Sequence, residues 1–239
     1  MTVKFRDPKH NFQTVAHHVE LRWDPLTGRK CRINIERTAR PHQVKLTRLR
    51  LTHPPACPFC QPRLEHVTPK YPEGLPSRIR REKAISFPNL YPFAEFHSVV
   101  VFHRFTTQVN GFSVKDLADS IRVGIETFET VARKTPALKY WILNWNHLPP
   151  AGASIVHPHL QLVATRSPTR LLGEELRKSR LYFKRTGKNY WEELTQKEKK
   201  LRERYIGRTG EFYWLASFAP LGNKEVLGIA KRASSLIEA

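Results

Sequence analysis

Disulfide scaffolding is excluded at the outset, because the 239 residues contain only three cysteines, Cys31, Cys57 and Cys60, too few and too odd in number for a framework. Long apolar runs are also missing. No stretch approaches the ~20 apolar residues needed to cross a bilayer, and Met1 to Asp7 lacks the apolar middle of a secretion signal, so a cytoplasmic protein with no membrane partner is expected. Acidic residues are scarce: 21 Asp+Glu against 41 Lys+Arg leave a formal charge of +20. Such a field attracts polyanions without choosing between nucleic acid and nucleotide sugars. The aromatics Trp141, Trp145, Trp191 and Trp214 are scattered, whereas a base-stacking platform interleaves them with basic residues. The basic clusters at 78–83 and 197–200 are interrupted by acids and read as solvated faces.

What is present suits a globular protein, since 40% hydrophobic residues can build a core for one large or two small domains. Val19 to Trp23 and Arg32 to Ile35 alternate on either side of Asp24-Pro25-Leu26-Thr27-Gly28, which predicts a hairpin. Residues 53–82 are rich in proline and carry Cys57-Pro58-Phe59-Cys60, a loop that needs an external clamp and a cysteine spacing that suits a metal. Ala84 to Phe87, Ser98 to Phe102, Tyr140 to Asn144 and Ile155 to Ala164 read as strands. Ser113 to Arg133 reads as a helix capped by Ser113. Ser167 to Tyr205 is charged and helical with a break near Thr186-Gly187-Lys188, and Phe212 to Ile229 returns to strand-turn-strand. The fold class is therefore α+β, a mainly antiparallel sheet with flanking helices.

The most informative segment is Gly152-Ala153-Ser154-Ile155-Val156-His157-Pro158-His159-Leu160-Gln161. Alternation along a strand puts His157, His159 and Gln161 on one face. That face offers one imidazole for a metal or a structural hydrogen bond, one for nucleophilic attack, and an amide that binds an oxygen without transferring a proton. Two ordinary histidines, in the core or on the surface, would give the same pattern, as two buried thiols would explain Cys57 and Cys60.

Together with Asp24 to Gly28, Arg37-Thr38-Ala39-Arg40-Pro41, the cysteine pair, Phe87-Pro88-Asn89-Leu90-Tyr91-Pro92 and Ala151 to Ser154, this segment resembles, in order, the galactose-1-phosphate uridylyltransferase family of the histidine-triad superfamily, including ADP-sugar phosphorylase-like relatives. The resemblance implies a histidine-triad-like domain over 1–166, a helical connector over 167–205 and an incomplete second repeat over 206–239. It implies His159 as nucleophile toward the α-phosphorus of a UDP-sugar or ADP-sugar, and a sugar 1-phosphate or inorganic phosphate as acceptor. Gln161 stands where the superfamily's hydrolases carry a third histidine, which favours transfer over hydrolysis. Arg37 and Arg40 match phosphate contacts, Asn89 and Asn146 nucleotide and phosphate contacts, and Gly152 and Ser154 a phosphate-proximal loop. A structural zinc ion would be held by Cys57, Cys60, His157 and a fourth ligand, His103 or alternatively His97.

The family's second half is not completed here. The sequence therefore leaves two explanations: a shortened chain, or hexose recognition passed to a partner chain, for which a homodimer is one form. Two other readings stay open: a basic nucleic-acid-binding protein on the same fold, and a zinc-stabilised relative without catalysis.

Overall fold

The computed structural model describes residues 1–36 and 56–231, and the chain divides into two compact units, 46–168 and 1–45 with 169–239. Residues 46–168 carry the cysteine pair and the His-Pro-His segment. The expected domain of 1–166 is thus divided, its N-terminal hairpin clustering with the C-terminal segment instead.

The 46–168 unit holds a five-stranded antiparallel sheet in the order β4-β5-β6-β8-β7. Its strands are β4 (Ile79–Arg81), β5 (Ala84–Pro88), β6 (Phe96–Phe102), β7 (Tyr140–Asn144) and β8 (His159–Thr165). Helix α2 (Val114–Lys134) lies between β6 and β7 in the chain and opens with the expected cap. Ser113 Oγ accepts from Asp116 N–H at 3.1 Å, while the Asp116 carboxylate accepts from Ser113 N–H at 2.9 Å. This reciprocal capping box satisfies two donors that the first helical turn leaves over.

Period-2 alternation gives the sheet two faces. Val100, Phe102, Leu160 and Leu162 pack with Val123 and Phe128 of α2. Leu143 joins them from β7. Gly124 lets the helix come close, for a Cβ there would stand 3.1 Å from Leu143 Cδ1 and 3.2 Å from Leu162 Cδ2. On the opposite face Ile85, Phe87, Val99 and Val101 pack with Cys57, Phe59 and Leu64. That second layer is the proline-rich loop, which carries the short helix α1 (Arg63–Val67). Arg78 ties the loop down from within, donating to the carbonyls of Pro69 at 3.0 Å and Thr68 at 3.1 Å while its guanidinium lies 5.2 Å from the Phe87 ring centroid. A cation there satisfies carbonyls that the end of α1 leaves unpaired.

The other unit holds two three-stranded antiparallel sheets, β1-β2-β3 and β11-β10-β9. Strands β1 (Thr2–Asp7), β2 (Gln13–Trp23) and β3 (Lys30–Asn34) contain the expected hairpin, and Asp24 Oδ1 accepts from the N–H groups of Leu26 and Thr27 in its turn. Helices α3 (Arg170–Thr186) and α4 (Tyr190–Leu201) break where expected, and β9 (Tyr205–Thr209), β10 (Phe212–Ala216) and β11 (Val226–Ala230) follow. The expected helical stretch to Tyr205 therefore ends at Leu201. Arg22 Nη1 donates to Phe218 O at 3.0 Å, and Arg22 and Arg204 each hold their guanidinium 5.1 Å from the Phe218 ring centroid. Among the described residues no helix is long and apolar enough to cross a membrane.

Candidate active site and metal centre

Strand β8 separates core from chemistry by alternation alone. Leu160 and Leu162 face α2, so His159 and Gln161 face the other way, across the layer that holds Cys57 and Phe59. The strand starts at His159 rather than at Ile155. His157 therefore precedes the ladder, where Pro158 has no N–H to offer, although Pro158 O still accepts from Phe102 N–H at 3.2 Å.

His159 is buried and its ring stands edge-on to Phe59, with centroids 5.3 Å apart. Its Nδ1–H donates to His157 O at 2.8 Å. That bond selects the tautomer with the proton on Nδ1 and leaves the Nε2 lone pair for an electrophile. Burial holds the imidazole below its usual pKa, although the bond to His157 O pulls the other way. A neutral ring with an unprotonated Nε2 is the form a nucleophilic histidine requires.

His157 is turned to a different task. Its Nε2–H donates to Phe102 O at 2.7 Å, which puts the lone pair on Nδ1. That Nδ1 lies 3.5 Å from Cys57 Sγ and 3.2 Å from Cys60 Sγ. Sulfur and nitrogen bound to one tetrahedral zinc ion stand about 3.6 Å apart, given bonds of about 2.3 and 2.05 Å. The donor set and the backbone bond that orients the imidazole both fit such an ion. Without a cation, burial and the neighbouring Cys57 push the Cys60 thiol up to about 12, whereas a bound cation would make thiolate the favoured form. Cys31 sits half-buried in β3 and belongs to no such cluster among the described residues.

Neither candidate for a fourth ligand joins this group. His103 is exposed, its Nδ1–H donating to Glu82 O at 2.7 Å and its backbone N–H to Lys83 O at 2.9 Å. The β4–β5 turn thus pins it away from the thiols. His97 lies at the other end of β6, opposite Val163 of β8, and its Nε2 is 3.2 Å from Gln161 Oε1. The register of β6 with β8 decides the neighbours of His97.

Asn89 N–H donates to His97 O at 3.0 Å, and Asn89 Oδ1 accepts from Tyr91 N–H at 2.9 Å, a turn role. Its Nδ2 stands 3.1 Å from His97 Nε2. Across the strand pair, Asn144 of β7 lies opposite Gln161 and donates through Nδ2 to Asn146 Oδ1 at 3.1 Å. Gly152 has φ +94°, a conformation that favours glycine, and a Cβ there would lie 3.7 Å from Asn146 Nδ2. Asn146 and Gly152 thus come together beside the strand edge. Ser154 is exposed in the same loop. Arg37 and Arg40 lie outside the described residues. His97 and Asn144 are the neighbours of Gln161 that residue spacing did not assign to it, and only the strand pairing reveals them.

No protein-family model matches the chain. An uncharacterized protein of Archaeoglobus fulgidus is 32% identical over 218 residues, a match covering 88% of this chain and 63% of the relative. The chain thus spans less than two thirds of that relative's length. Among solved structures, an ADP-glucose phosphorylase from Arabidopsis thaliana with bound ADP-glucose superimposes with a TM-score of 0.69 at 23% identity, over 91% of this chain and 70% of that one. A galactose-1-phosphate uridylyltransferase-like protein from the same plant gives 0.67 at 24% identity, over 90% and 68%. A uridylyltransferase gives 0.61 at 19% identity, over 92% and 69%. The chain has the fold of these proteins, as the order of its motifs led one to expect.

Proposed function

We propose that the protein is a nucleotidyltransferase that carries a nucleoside monophosphate on His159 between a nucleotide sugar and a phosphate acceptor. His159 Nε2 attacks the α-phosphorus of a UDP-sugar or ADP-sugar. A nitrogen–phosphorus bond forms, the bond from the α-phosphorus to the bridging oxygen breaks, and sugar 1-phosphate leaves with the electron pair. A phosphate oxygen of a second sugar 1-phosphate, or of inorganic phosphate, then attacks the same phosphorus and frees the imidazole. The observation that carries this reading is the Nδ1–H bond from His159 to His157 O at 2.8 Å, which leaves Nε2 as the reactive atom.

Gln161 is assigned to the phosphoryl oxygens, and being an amide it provides no proton-transfer route for water near neutral pH. Arg37 and Arg40 are assigned to stabilising the phosphoryl charge, which their forked donors suit. Asn89, Asn146, Gly152 and Ser154 are assigned to the nucleotide and its phosphates. Cys57, Cys60 and His157 would hold a structural zinc ion whose contribution is mechanical, fixing the loop that carries Phe59 against the His159 ring.

Incubation with UDP-glucose or ADP-glucose, followed by intact-protein mass spectrometry, is expected to show a gain of one UMP or AMP that is lost in acid and stable in base. A His159→Gln variant should take no label. Equal labelling of that variant would remove His159 from its role, and an unlabelled parent chain would overturn the reading.

A further inference from the structure

His97 is 5% exposed and its ring lies against Phe93, with ring centroids 4.2 Å apart. Two side-chain amides meet its Nε2: Gln161 Oε1 at 3.2 Å and Asn89 Nδ2 at 3.1 Å. One ring nitrogen cannot accept from Asn89 and donate to Gln161 at the same time. The other ring nitrogen decides between the two states, because Nδ1 is buried with no hydrogen-bond partner among the described residues.

If Nε2 accepted from Asn89, the ring proton would sit on Nδ1 as a buried donor without an acceptor. Orphaned buried donors are the rarer and costlier case. With the proton on Nε2, Nδ1 is only a bare lone pair, and Nε2–H donates to Gln161 Oε1. Burial holds this imidazole below its usual pKa against the opposing pull of Gln161, so a single ring proton is the form near neutral pH. In this state the Asn89 approach contributes no hydrogen bond to the ring.

The consequence reaches the reacting centre through Gln161. His97 lies opposite Val163, Gln161 opposite Val99, and His159 opposite Val101. Gln161 therefore stands between His97 and His159 along the face. An amide whose oxygen is held on the His97 side turns its –NH2 to the His159 side. There it can donate to a phosphoryl oxygen, whereas the reversed amide would oppose oxygen to oxygen.

We propose that His97 is a positioning residue for nucleotidyl transfer, donating Nε2–H to Gln161 Oε1 and so fixing the Gln161 amide with its –NH2 toward the phosphoryl group in front of His159. This rests on the transfer reading and goes one residue further. The test is the single-turnover rate of His159 labelling by UDP-glucose or ADP-glucose in the full chain. His97→Leu should slow labelling about tenfold to a hundredfold at saturating nucleotide sugar, part or most of what losing an oxyanion donor costs, with little change in the half-saturating concentration. His97→Gln, whose side-chain –NH2 can replace the ring Nε2–H, should recover most of the rate. In a Gln161→Ala background, His97→Leu should cost nothing further, because there is no amide left to orient.

Labelling of His97→Leu at the parent rate would overturn the inference. So would His97→Gln behaving no better than His97→Leu, or an undiminished cost of His97→Leu in the Gln161→Ala background, either of which marks a packing role alone. A parent chain that takes no label overturns the transfer reading and this inference with it.

Discussion

Replacing Arg78 by Met removes the cation that holds the cysteine loop together while keeping a flexible apolar stem over Phe87. The Arg78 side chain is 1% exposed and pairs through Nε with Glu65 Oε2 at 3.1 Å. Its Nη groups reach Pro69 O at 3.0 Å, Thr68 O at 3.1 Å and Leu64 O at 3.4 Å. Leu64 O loses little, for it still accepts from Thr68 N–H at 3.3 Å and Thr68 Oγ1–H at 2.7 Å. Glu65 keeps Arg80 at 3.4 Å. The carbonyls of Thr68 and Pro69 lose the donors that Arg78 supplied, at about 1–3 kcal/mol each, partly offset because a guanidinium no longer has to be desolvated. A net destabilisation of about 3 kcal/mol follows. For a folding unit of roughly this size that lowers Tm by about 10 °C, measured by circular dichroism during heating. Arg78→Lys should recover only part of it, because a single ammonium lacks the two-armed fork. If Arg78→Met unfolds within about 0.5 kcal/mol of the parent, the loop is held by its apolar contacts alone and this account of Arg78 is wrong.

Two further outcomes follow from the same structure. Purified protein should contain one zinc ion per chain, and stripping it with a strong chelator should lower the unfolding midpoint, with Cys57→Ser doing the same; a metal content far below one per chain together with an unchanged midpoint would remove the zinc centre. Burial opposes ionisation of Asp116, but bonds from Ser113 and the charges of Arg104 and Lys83 outweigh it and hold the carboxyl below its usual pKa. Its contribution is therefore fully present above the ordinary carboxylate pKa of about 4 and is lost as pH falls through the lower folded value. Asp116→Asn should lower stability at neutral pH and flatten the acid limb of the stability profile, and an unchanged acid limb would refute the assignment.

Much of this arrangement was legible in the residues because local periodicity and local caps carry it. The alternation Leu160-Gln161-Leu162 sorts core from site without knowledge of any partner strand, and Ser113 announces α2 from three positions upstream of Asp116. What was not legible depends on pairings across long stretches of chain. His97 stands on β6 and His103 just past its end, and the register of β6 with β8, some sixty residues later, sends one to Gln161 while the β4–β5 turn holds the other away from the thiols. The grouping of β1–β3 with the C-terminal segment follows from bonds such as Arg29 to Ala219 O, which no local pattern marks. Strand β9 was hidden for a different reason, since Gly207 and Arg208 dilute the β-branched signature that a strand normally shows.

The proposed chemistry and the core are specified by one and the same register. A slip of one residue in β8 would carry Leu160 and Leu162 out of the layer against α2 and drive His159 and Gln161 into it. That alternative buries an imidazole and an amide among Val100, Val123 and Phe128, where neither finds a partner, and takes both leucines out of their packing with α2. The helix-facing residues of β8 therefore hold His159 in place without touching it. Gly124 sharpens the constraint, because the helix packs so close to Leu162 that even a Cβ at Gly124 would stand 3.2 Å from its Cδ2. Packing on one face of the strand fixes where His159 points on the other, and the backbone carbonyl of His157, two residues back, fixes which of its nitrogens keeps the lone pair.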